Sequence, residues 1–372
     1  MERVQKGDKE DKMKKVKAGI DNIDKYIRLF EGKKVGLITN TTGYNDKFES
    51  TIDILKSKTD LVSLYSPEHG IRGDMQAGKE VGNYIDKKTG IMVYSLFGKN
   101  KKPSPEMLKD IDILAFDVQD AGARFYTYLY TMAYAMESCK ESNKEFVVFD
   151  RPDPVNGEDA EGNILRPECR SFIGLYPIPQ RYGLTIGEAA QLFNNEFSIG
   201  CSLHVVPLTG WKRNMYFEDT GLNWIMPSPN MPTVDTAVVY SGTCIFEGTN
   251  ISEGRGTTRP FEIIGAPWLD AFSLADKMNS INLDGVKFRP VYFTPTFSKH
   301  AGKLCSGVQI HVTDRKSYKP VKTGLYLLNV IKEESKGKFK FIFPSDLGSG
   351  YGIDYLFGTT FLREEKYSMD KI

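Results

Sequence analysis

The sequence lacks the marks of several large protein classes. Its formal net charge is only +1, so no excess of basic side chains favours DNA, RNA or an anionic membrane surface as a partner. No apolar stretch is long enough for a membrane helix, and the N-terminus lacks the apolar core of a secretion signal. We therefore expect a chain without a nucleic-acid partner or a membrane span. As written it would be cytoplasmic, and it would be exported if a signal had been removed.

Metal and nucleotide motifs are also missing. The five cysteines are far apart and form no CxxC pair, and the four histidines have no second ligand at metal spacing. The sequence contains no GxxxxGK[ST] phosphate loop, no HExxH and no GxSxG. We expect neither a metal nor a cofactor, and no obligate protein partner is evident.

Short apolar runs alternate with helical patterns in the first 207 residues. Runs of this length without polar interruption are typical of parallel strands that are buried on both faces. Helices are predicted over residues 20–30 and 125–139, and Thr185 with Glu188 forms a capping box that opens another. The alternation predicts an α/β fold with a mostly parallel sheet. The predicted strands are 35–38, 61–65, 91–94, 113–116, 146–149 and 203–207.

Three prolines within residues 226–233 indicate a rigid, extended connector. We place a domain boundary there, with one domain at 18–232 and a smaller α+β domain at 233–372. Residues 1–17 are rich in charge and poor in apolar side chains, which predicts a mobile tail.

Polar side chains collect where the predicted strands end, and this is where ligands bind in open α/β sheets. Carboxylate, imidazole, guanidinium and amide groups together suit a sugar. Hydrolysis of a glycosidic bond needs a carboxylic acid to protonate the leaving oxygen, and a second carboxylate or the substrate's own acetamido group to stabilise the cationic centre. Glu68 is the first candidate for the acid. The strand-end residues are Asn40, Glu68, His69, Arg72, Asp117, Gln119, Asp120, Arg124, Asp150 and Arg151.

Structural roles could explain the same residues. Glu68 could cap the turn that follows it, and Asp117 and Asp120 could cap the next helix. Arg151 could form an internal ion pair, or it could hold a substrate carboxylate through a bidentate fork. The loop at residues 246–258 has acids, an arginine, an asparagine and three glycines, so it could bind a polar ligand or form a self-bonded Ω connection.

Several segments together resemble the bacterial exo-β-N-acetylmuramidases, a family long described as a domain of unknown function. The resemblance extends over about residues 33–315. It rests on VGLITN at 35–40, SPEHGIRG at 66–73, FDVQD at 116–120, RFYTY at 124–128, DRP at 150–152, PSPNMPT at 227–233, FEGTN at 246–250, SEGRGTT at 252–258 and GVQIHVTD at 307–314.

The resemblance implies a Rossmann-like catalytic domain without a nucleotide, a smaller C-terminal domain and a cleft between them. The implied reaction, part of cell-wall turnover, releases N-acetylmuramic acid from the non-reducing ends of peptidoglycan fragments. Glu68 would be the general acid, with His69 beside it in the catalytic site. Substrate-binding residues of the same cleft would include Tyr182, Asn230, Glu247, Asn250, Glu253 and Arg255.

Substrate recognition also follows from the resemblance. The lactyl carboxylate of muramic acid needs a cation, for which the candidates are Arg72, Arg124, Arg151 and Arg255. Tyr182 stands where a histidine is expected in many relatives, and Asp153 where an asparagine is expected. Both departures concern substrate preference.

Other interpretations stay open at this point. The partner of Glu68 could be Asp120, Glu247, Glu253 or no residue at all, so the sequence leaves retention and inversion both possible. A non-catalytic protein that binds cell-wall fragments would use the same arginines and aromatic rings. A nucleotide-dependent α/β enzyme is supported only by the alternation of strands and helices.

Overall fold

The structure, a computed structural model, describes residues 15–73, 82–98, 100–343 and 348–366. Its larger sheet has the strand order β3-β4-β2-β1-β5-β6-β7, and every neighbouring pair is parallel except β3 with β4. This confirms the predicted α/β fold with a mostly parallel sheet. The strands are β1 Lys34–Thr39, β2 Asp60–Ser66, β3 Tyr84–Ile85, β4 Met92–Ser95, β5 Ile113–Asp117, β6 Glu145–Phe149 and β7 Ser202–Val206.

The order of the strands fixes where a ligand site is expected. From β1 the chain moves outward to β2 and β4, and it then returns to β5, which pairs with the other side of β1. The switch point of the sheet therefore lies between β1 and β5. Ligands of such sheets bind in the crevice beyond the carboxyl ends of the strands at this point.

Alternate residues of the central strands belong to two different apolar clusters. Leu37 and Ala115 pack on one face with the helix at residues 51–58, and Ile38 and Phe116 pack on the other face with the helices at residues 128–141 and 186–195. Both faces exclude water, which explains why the strands read as continuous apolar runs. The helices are α1 Ile23–Tyr26, α2 Thr51–Lys58, α3 Pro105–Leu108, α4 Tyr128–Glu141, α5 Ile186–Asn195, α6 Val234–Thr243, α7 Ala271–Ser280, α8 Pro320–Glu334 and α9 Gly352–Phe357.

The C-terminal part has a three-stranded antiparallel sheet of order β8-β10-β9. Its helices α6 and α8 cross closely, since a Cβ atom on Gly242 would lie 1.9 Å from the carbonyl oxygen of Pro320. The larger apolar cluster continues from the parallel sheet into these helices. The division predicted at residues 232–233 falls just before α6 and stays a prediction. The strands are β8 Ile263–Ala266, β9 Val286–Phe293 and β10 Cys305–Val312.

The capping box at α5 is confirmed: Thr185 accepts a hydrogen bond from the Glu188 main chain, and the Glu188 carboxylate accepts one from the Thr185 main chain. The helix predicted over residues 20–30 is instead three short pieces: 3₁₀ segments at Gly19–Asn22 and Ile27–Phe30 on either side of α1. The main-chain N–H of Gly19 donates to the carbonyl of Asp150 at 2.7 Å, which ties the start of this segment to the end of β6.

The helix predicted from residue 125 begins three residues later, at Tyr128. The Arg124 main-chain N–H donates to the carbonyl of Gln180 at 2.7 Å, and that of Tyr126 donates to the carbonyl of Ala123 at 2.9 Å. These bonds hold residues 123–127 in a turn, so the side chains of this turn lie at the N-terminus of α4 and not on its flank.

Most of the predicted tail, residues 1–14, lies outside the described residues. The next residues are packed: Val16 is fully buried, and its N–H donates to the carbonyl of Thr220 at 3.0 Å. Lys17 pairs with Thr209 through the main chain. Residues 16 and 17, which were predicted to belong to the mobile tail, are therefore packed against the protein. In the described part of the chain, no helix is both long enough and apolar enough to cross a membrane.

Candidate active site

The loop after β2 presents Glu68 at the carboxyl edge of the sheet. The main-chain N–H of Gly70 closes a turn onto the carbonyl of Pro67 at 3.3 Å. His69 within this turn has φ +75°, a left-handed conformation that costs a side-chain-bearing residue about 1–3 kcal/mol. Such strain persists only where the surroundings impose it, and it is concentrated at functional sites. Glu68 keeps 19% of its side chain exposed.

Glu68 lies against the N-terminus of α4. The Thr127 hydroxyl donates to Glu68 Oε2 at 3.2 Å, and His69 Nε2 lies 3.9 Å from Glu68 Oε1. Thr127 is the N-cap of this 14-residue helix, whose positive end faces the carboxylate. Among the described residues, the Glu68 carboxylate makes no bond to the turn that follows it, so the capping interpretation is wrong.

Tyr128 connects the Glu68 loop to the proline-rich connector. Its hydroxyl donates to the carbonyl of Pro227 at 2.5 Å and lies 3.4 Å from the carbonyl of Glu68. Asn40 also donates to the Pro227 carbonyl, at 3.5 Å. Asn230, in the same connector, is half-buried, and within the described ranges its amide makes no hydrogen bond. The connector thus forms one wall of the site.

Two predicted amides have structural partners at the switch point. Asn40 Oδ1 accepts from the main-chain N–H and the hydroxyl of Thr42, at 2.9 and 2.6 Å. Gln119 Nε2 donates to the carbonyls of Asp120 and Pro152, both at 2.9 Å. These bonds fix the loops after β1 and β5 in place.

Asp120 is a buried carboxyl group whose two oxygens differ in their hydrogen bonding. Its Oδ2 accepts from the hydroxyl of Tyr182 and, at 2.8 Å, from the main-chain N–H of Gly122. Its Oδ1 is buried and has no hydrogen-bond partner in the part of the chain that the structure describes. Burial raises the pKa of Asp120 to about 6, against the opposing effect of the Tyr182 bond. Asp120 does not cap α4.

Tyr126 and Tyr128 bring Asp120 and Glu68 into one site. Their rings pack edge to face with centroids 5.1 Å apart. Burial raises the pKa of both hydroxyls above the usual value, and the charges of Asp120 and Glu68 act on both in the same direction. A carboxyl group therefore lies near this pair of rings on each of two loops.

Asp117 and Asp150 have structural partners. Asp117 accepts from Arg151 Nε at 2.6 Å and from its Nη2 at 2.9 Å, so this fork is occupied by an internal ion pair and Asp117 caps no helix. Asp150 accepts from the Thr185 hydroxyl at 3.1 Å and from the Gly187 main chain at 2.7 Å. Burial raises the pKa of Asp150 to about 7.

Arg124 does not point into the crevice. It is fully buried, and its guanidinium donates to the carbonyls of Asn163, Ile178 and Leu356 at 2.5–2.9 Å. Burial lowers its pKa to about 10. Arg72 is a third exposed and forms a forked ion pair with Asp86.

The loop at residues 246–258 is bonded mainly to its own neighbourhood. Arg255 pairs with Glu247 and with Glu253, which also pairs with Lys299 at 2.8 Å. Burial opposes the charge of Arg255, but the two carboxylates outweigh it and raise its pKa. Asn250 bonds to the main chain of residues 338 and 340. These contacts agree with the Ω interpretation of the loop.

An aromatic layer separates that loop from Glu68. The Arg255 guanidinium lies 5.1 Å from the centre of the Phe261 ring, Phe261 packs edge to face on Tyr240 at 4.7 Å, and Tyr240 packs on Tyr126 at 5.8 Å. The structure therefore brings Glu68, His69, Asp120 and Tyr182 together with the two tyrosines. It places Arg255 behind the rings.

Three site residues were missed at the sequence level: Tyr126, Thr127 and Tyr128. The helix was predicted to begin at residue 125, which made them part of an apolar helical stripe. Thr127 offered a signal, because a threonine before an apolar helical run is a common N-cap. Within the described residues, no group of three or more His, Cys, Asp or Glu side chains is arranged to hold a metal ion.

Comparisons with known proteins identify the family of the chain. A family model described as Exo-beta-N-acetylmuramidase NamZ, N-terminal, matches residues 35–235, and one described as Exo-beta-N-acetylmuramidase NamZ, C-terminal, matches residues 238–372. The peptidoglycan beta-N-acetylmuramidase NamZ of Bacillus subtilis is 56% identical over 334 residues, which cover 89% of this chain and 81% of that protein.

Two crystal structures of DUF1343 family proteins from Bacteroides fragilis have the same fold. One has a TM-score of 0.86 at 40% identity and covers 94% of this chain and 91% of its own. The other has a TM-score of 0.74 at 28% identity and covers 96% of this chain and 92% of its own. The chain belongs to the exo-β-N-acetylmuramidase family and is an enzyme of the glycoside hydrolase class.

Proposed function

We propose that the protein releases N-acetylmuramic acid from the non-reducing ends of peptidoglycan fragments, with Glu68 as the general acid. The observation that carries this proposal is the position of Glu68: a partly exposed carboxyl group, at the carboxyl edge of the sheet, in a chain whose relative is a peptidoglycan muramidase. Protonated Glu68 would give its proton to the glycosidic oxygen as the bond from C1 breaks.

The neighbours of Glu68 support a fixed orientation for this proton transfer. Thr127 donates to one carboxylate oxygen, and the other oxygen lies beside His69. A general acid has to lie within about 3 Å of the leaving oxygen, so a side chain held from two sides loses little freedom when the substrate binds.

Arg72 is the favoured cation for the lactyl carboxylate. It follows Glu68 on the same loop, and 32% of its side chain is exposed. Arg124 and Arg151 are buried and bonded to the protein, and Arg255 is paired with two carboxylates. A guanidinium with exposed N–H groups can add a second carboxylate to the one that it already binds.

Replacement of the acid tests the proposal. We expect Glu68→Gln to lower kcat by about a hundredfold or more on a β-muramoside, because the amide cannot protonate the leaving oxygen. The assay is the release of a chromogenic phenol or of the free sugar. A muramoside with a good leaving group should be affected less, since its departure needs less protonation.

Glu141→Gln is the matched control, because Glu141 has the same side chain on the exposed face of α4, where its partner among the described residues is Lys102. Glu68→Gln with wild-type turnover would contradict the role of Glu68. Tight binding of muramyl ligands by the wild-type protein, without any release of sugar, would instead favour the non-catalytic cell-wall binder.

A further inference from the structure

We infer that Asp120 is the second carboxyl group of the reaction: it holds the N–H of the 2-acetamido group of the terminal sugar while the carbonyl oxygen of that group displaces the leaving group. The inference rests on the proposed function, which supplies an acetamido sugar. It adds the residue that orients the acetamido group of the substrate, so that the oxygen of this group can act as the nucleophile. It predicts that the anomeric configuration is retained.

The Asp120 carboxylate can accept one further hydrogen bond. Its Oδ2 is fixed by Tyr182 and by the main chain of Gly122. Its Oδ1 is buried without a hydrogen-bond partner among the described residues, and leaving such an oxygen unpaired costs about 1–3 kcal/mol. An amide N–H of the substrate would supply the missing donor. Burial raises the pKa of Asp120 to about 6, so the carboxylate form that accepts this bond is present at neutral pH.

Asp120 also lies in the right neighbourhood. The rings of Tyr126 and Tyr128 are in contact, and the charges of Glu68 and Asp120 both reach their hydroxyls. The loop after β2 thus offers a proton donor, and the loop after β5 offers an acceptor near the same pair of rings.

The other candidate partners of Glu68 are already engaged. Glu247 and Glu253 pair with Arg255, and Lys299 takes the second oxygen of Glu253. Asp117 holds Arg151 through both oxygens. Their negative charge is compensated by the protein, whereas within the described residues Asp120 has no basic side chain as a partner.

The steps balance without a cofactor. Glu68 gives its proton to the glycosidic oxygen, the bond from C1 to that oxygen breaks, and the acetamido carbonyl oxygen bonds to C1. The ring that forms is an oxazolinium ion, whose N–H is held by the Asp120 carboxylate. Water then attacks C1 and gives a proton to the Glu68 carboxylate, the bond from C1 to the acetamido oxygen breaks, and the amide is restored.

Tyr182 is the positioning residue of this arrangement. Its hydroxyl donates to the oxygen of Asp120 that faces away from the proposed substrate contact, so it sets the orientation of the carboxylate. Tyr182→Phe should lower kcat by about tenfold and leave KM nearly unchanged. In an Asp120→Asn background the same change should have little further effect, because both act through one group.

The test uses muramosides whose acetamido group carries one, two or three fluorine atoms. Fluorine withdraws electrons from the carbonyl oxygen. If that oxygen attacks C1, the wild-type kcat should therefore fall with each fluorine atom that is added to the acetamido group. Asp120→Asn should lower kcat on the parent substrate by about a hundredfold or more. Asp354→Asn is the matched control: it changes a buried aspartate of α9 that pairs with Arg363, and should keep the fluorine series unchanged.

Proton NMR of the first sugar released by the wild-type protein completes the test, and it does not depend on the folding of any variant. Release with retained configuration and a falling fluorine series is the expected result. Release with inversion, or a flat fluorine series, would overturn the role of Asp120 and leave the muramidase activity standing. The absence of any released muramic acid would contradict the proposed function itself.

Discussion

Buried carboxyl groups near the site make the stability of the protein depend on pH. Burial raises the pKa of Asp153 to about 8 and that of Asp150 to about 7, whereas an aspartate of the unfolded chain has a pKa of about 4. The folded chain therefore binds these protons more tightly than the unfolded chain. Their contribution to stability is fully present below about pH 4 and is lost as the pH rises through about 7 to 8.

Asp153→Asn should reduce this loss, because an amide mimics the neutral acid and does not ionise. We expect the free energy of unfolding of the variant, relative to that of the wild type, to be larger at pH 8 than at pH 5. Urea denaturation at both pH values measures it. Asp110→Asn, on an exposed aspartate, is the control and should give the same difference at both. A variant of Asp153 with no such pH dependence would show that this group is ionised in the fold.

Recognition of the lactyl carboxylate is a second prediction about one residue. Arg72→Met should raise KM for a β-muramoside by about tenfold, since it removes one charge-assisted hydrogen-bonding group. The methyl ester of the same substrate should be affected little. Arg28→Met, on an exposed arginine, should change neither the KM for the acid nor the KM for its methyl ester. Equal losses on the acid and the ester would assign Arg72 a purely structural role, through its pair with Asp86.

Residue types at strand ends could be predicted, but their partners could not. Glu68 and Arg124 both follow strands in the sequence, yet Glu68 reaches solvent and Arg124 donates to three main-chain carbonyl groups. Those carbonyls belong to segments far along the chain, up to Leu356. No local pattern near residue 124 contains that information.

At the scale of elements, strands were easier to predict than helix ends. The central strands are buried on both faces, so their apolar runs carry a clear signal. The start of α4 was signalled only by Thr127, because Phe125 and Tyr126 continue the apolar pattern of the helix although main-chain bonds hold this segment in a turn. The site residues that were missed lie in this turn.

The crossing of α6 and α8 provides a prediction at this scale. Gly242→Ala should destabilise the protein by about 2 kcal/mol, because its Cβ would overlap the carbonyl of Pro320 and the helices would have to separate. The better helix propensity of alanine offsets only part of this. Chemical denaturation measures the change. Gly82→Ala is the control, since a Cβ there meets no atom of the described residues within 4 Å. Equal stability of the two variants would contradict the close crossing.

At the scale of the whole molecule, the two parts share one core. The larger apolar cluster includes Phe116 and Leu129 beside the parallel sheet, and Phe246 and Leu328 beyond the proline-rich connector. Composition indicated a connector at residues 226–233, and the family models also divide the chain near there. Sequence patterns could indicate this division, but they do not reveal how much apolar surface the two parts bury against each other.

A shared core predicts that the chain unfolds in one step. Circular dichroism and tyrosine fluorescence should give coincident urea transitions, as expected of a cooperative unit. Tyr240 is the test position, because its ring joins Tyr126 of the first part to Phe261 of the second. Tyr240→Ala should remove about 3–5 kcal/mol of this packing and lower the midpoint.

Tyr292→Ala is the matched control, because the Tyr292 ring is exposed on β9 and its loss should leave the midpoint nearly unchanged. Two separate transitions in the wild-type protein would show that the parts fold independently. In that case the contact between Tyr126 and Tyr240 could be lost without unfolding either part, and the position of Glu68 relative to the loop at 246–258 would vary. A single transition that Tyr240→Ala moves as a whole would show that the order of the active site depends on the complete chain.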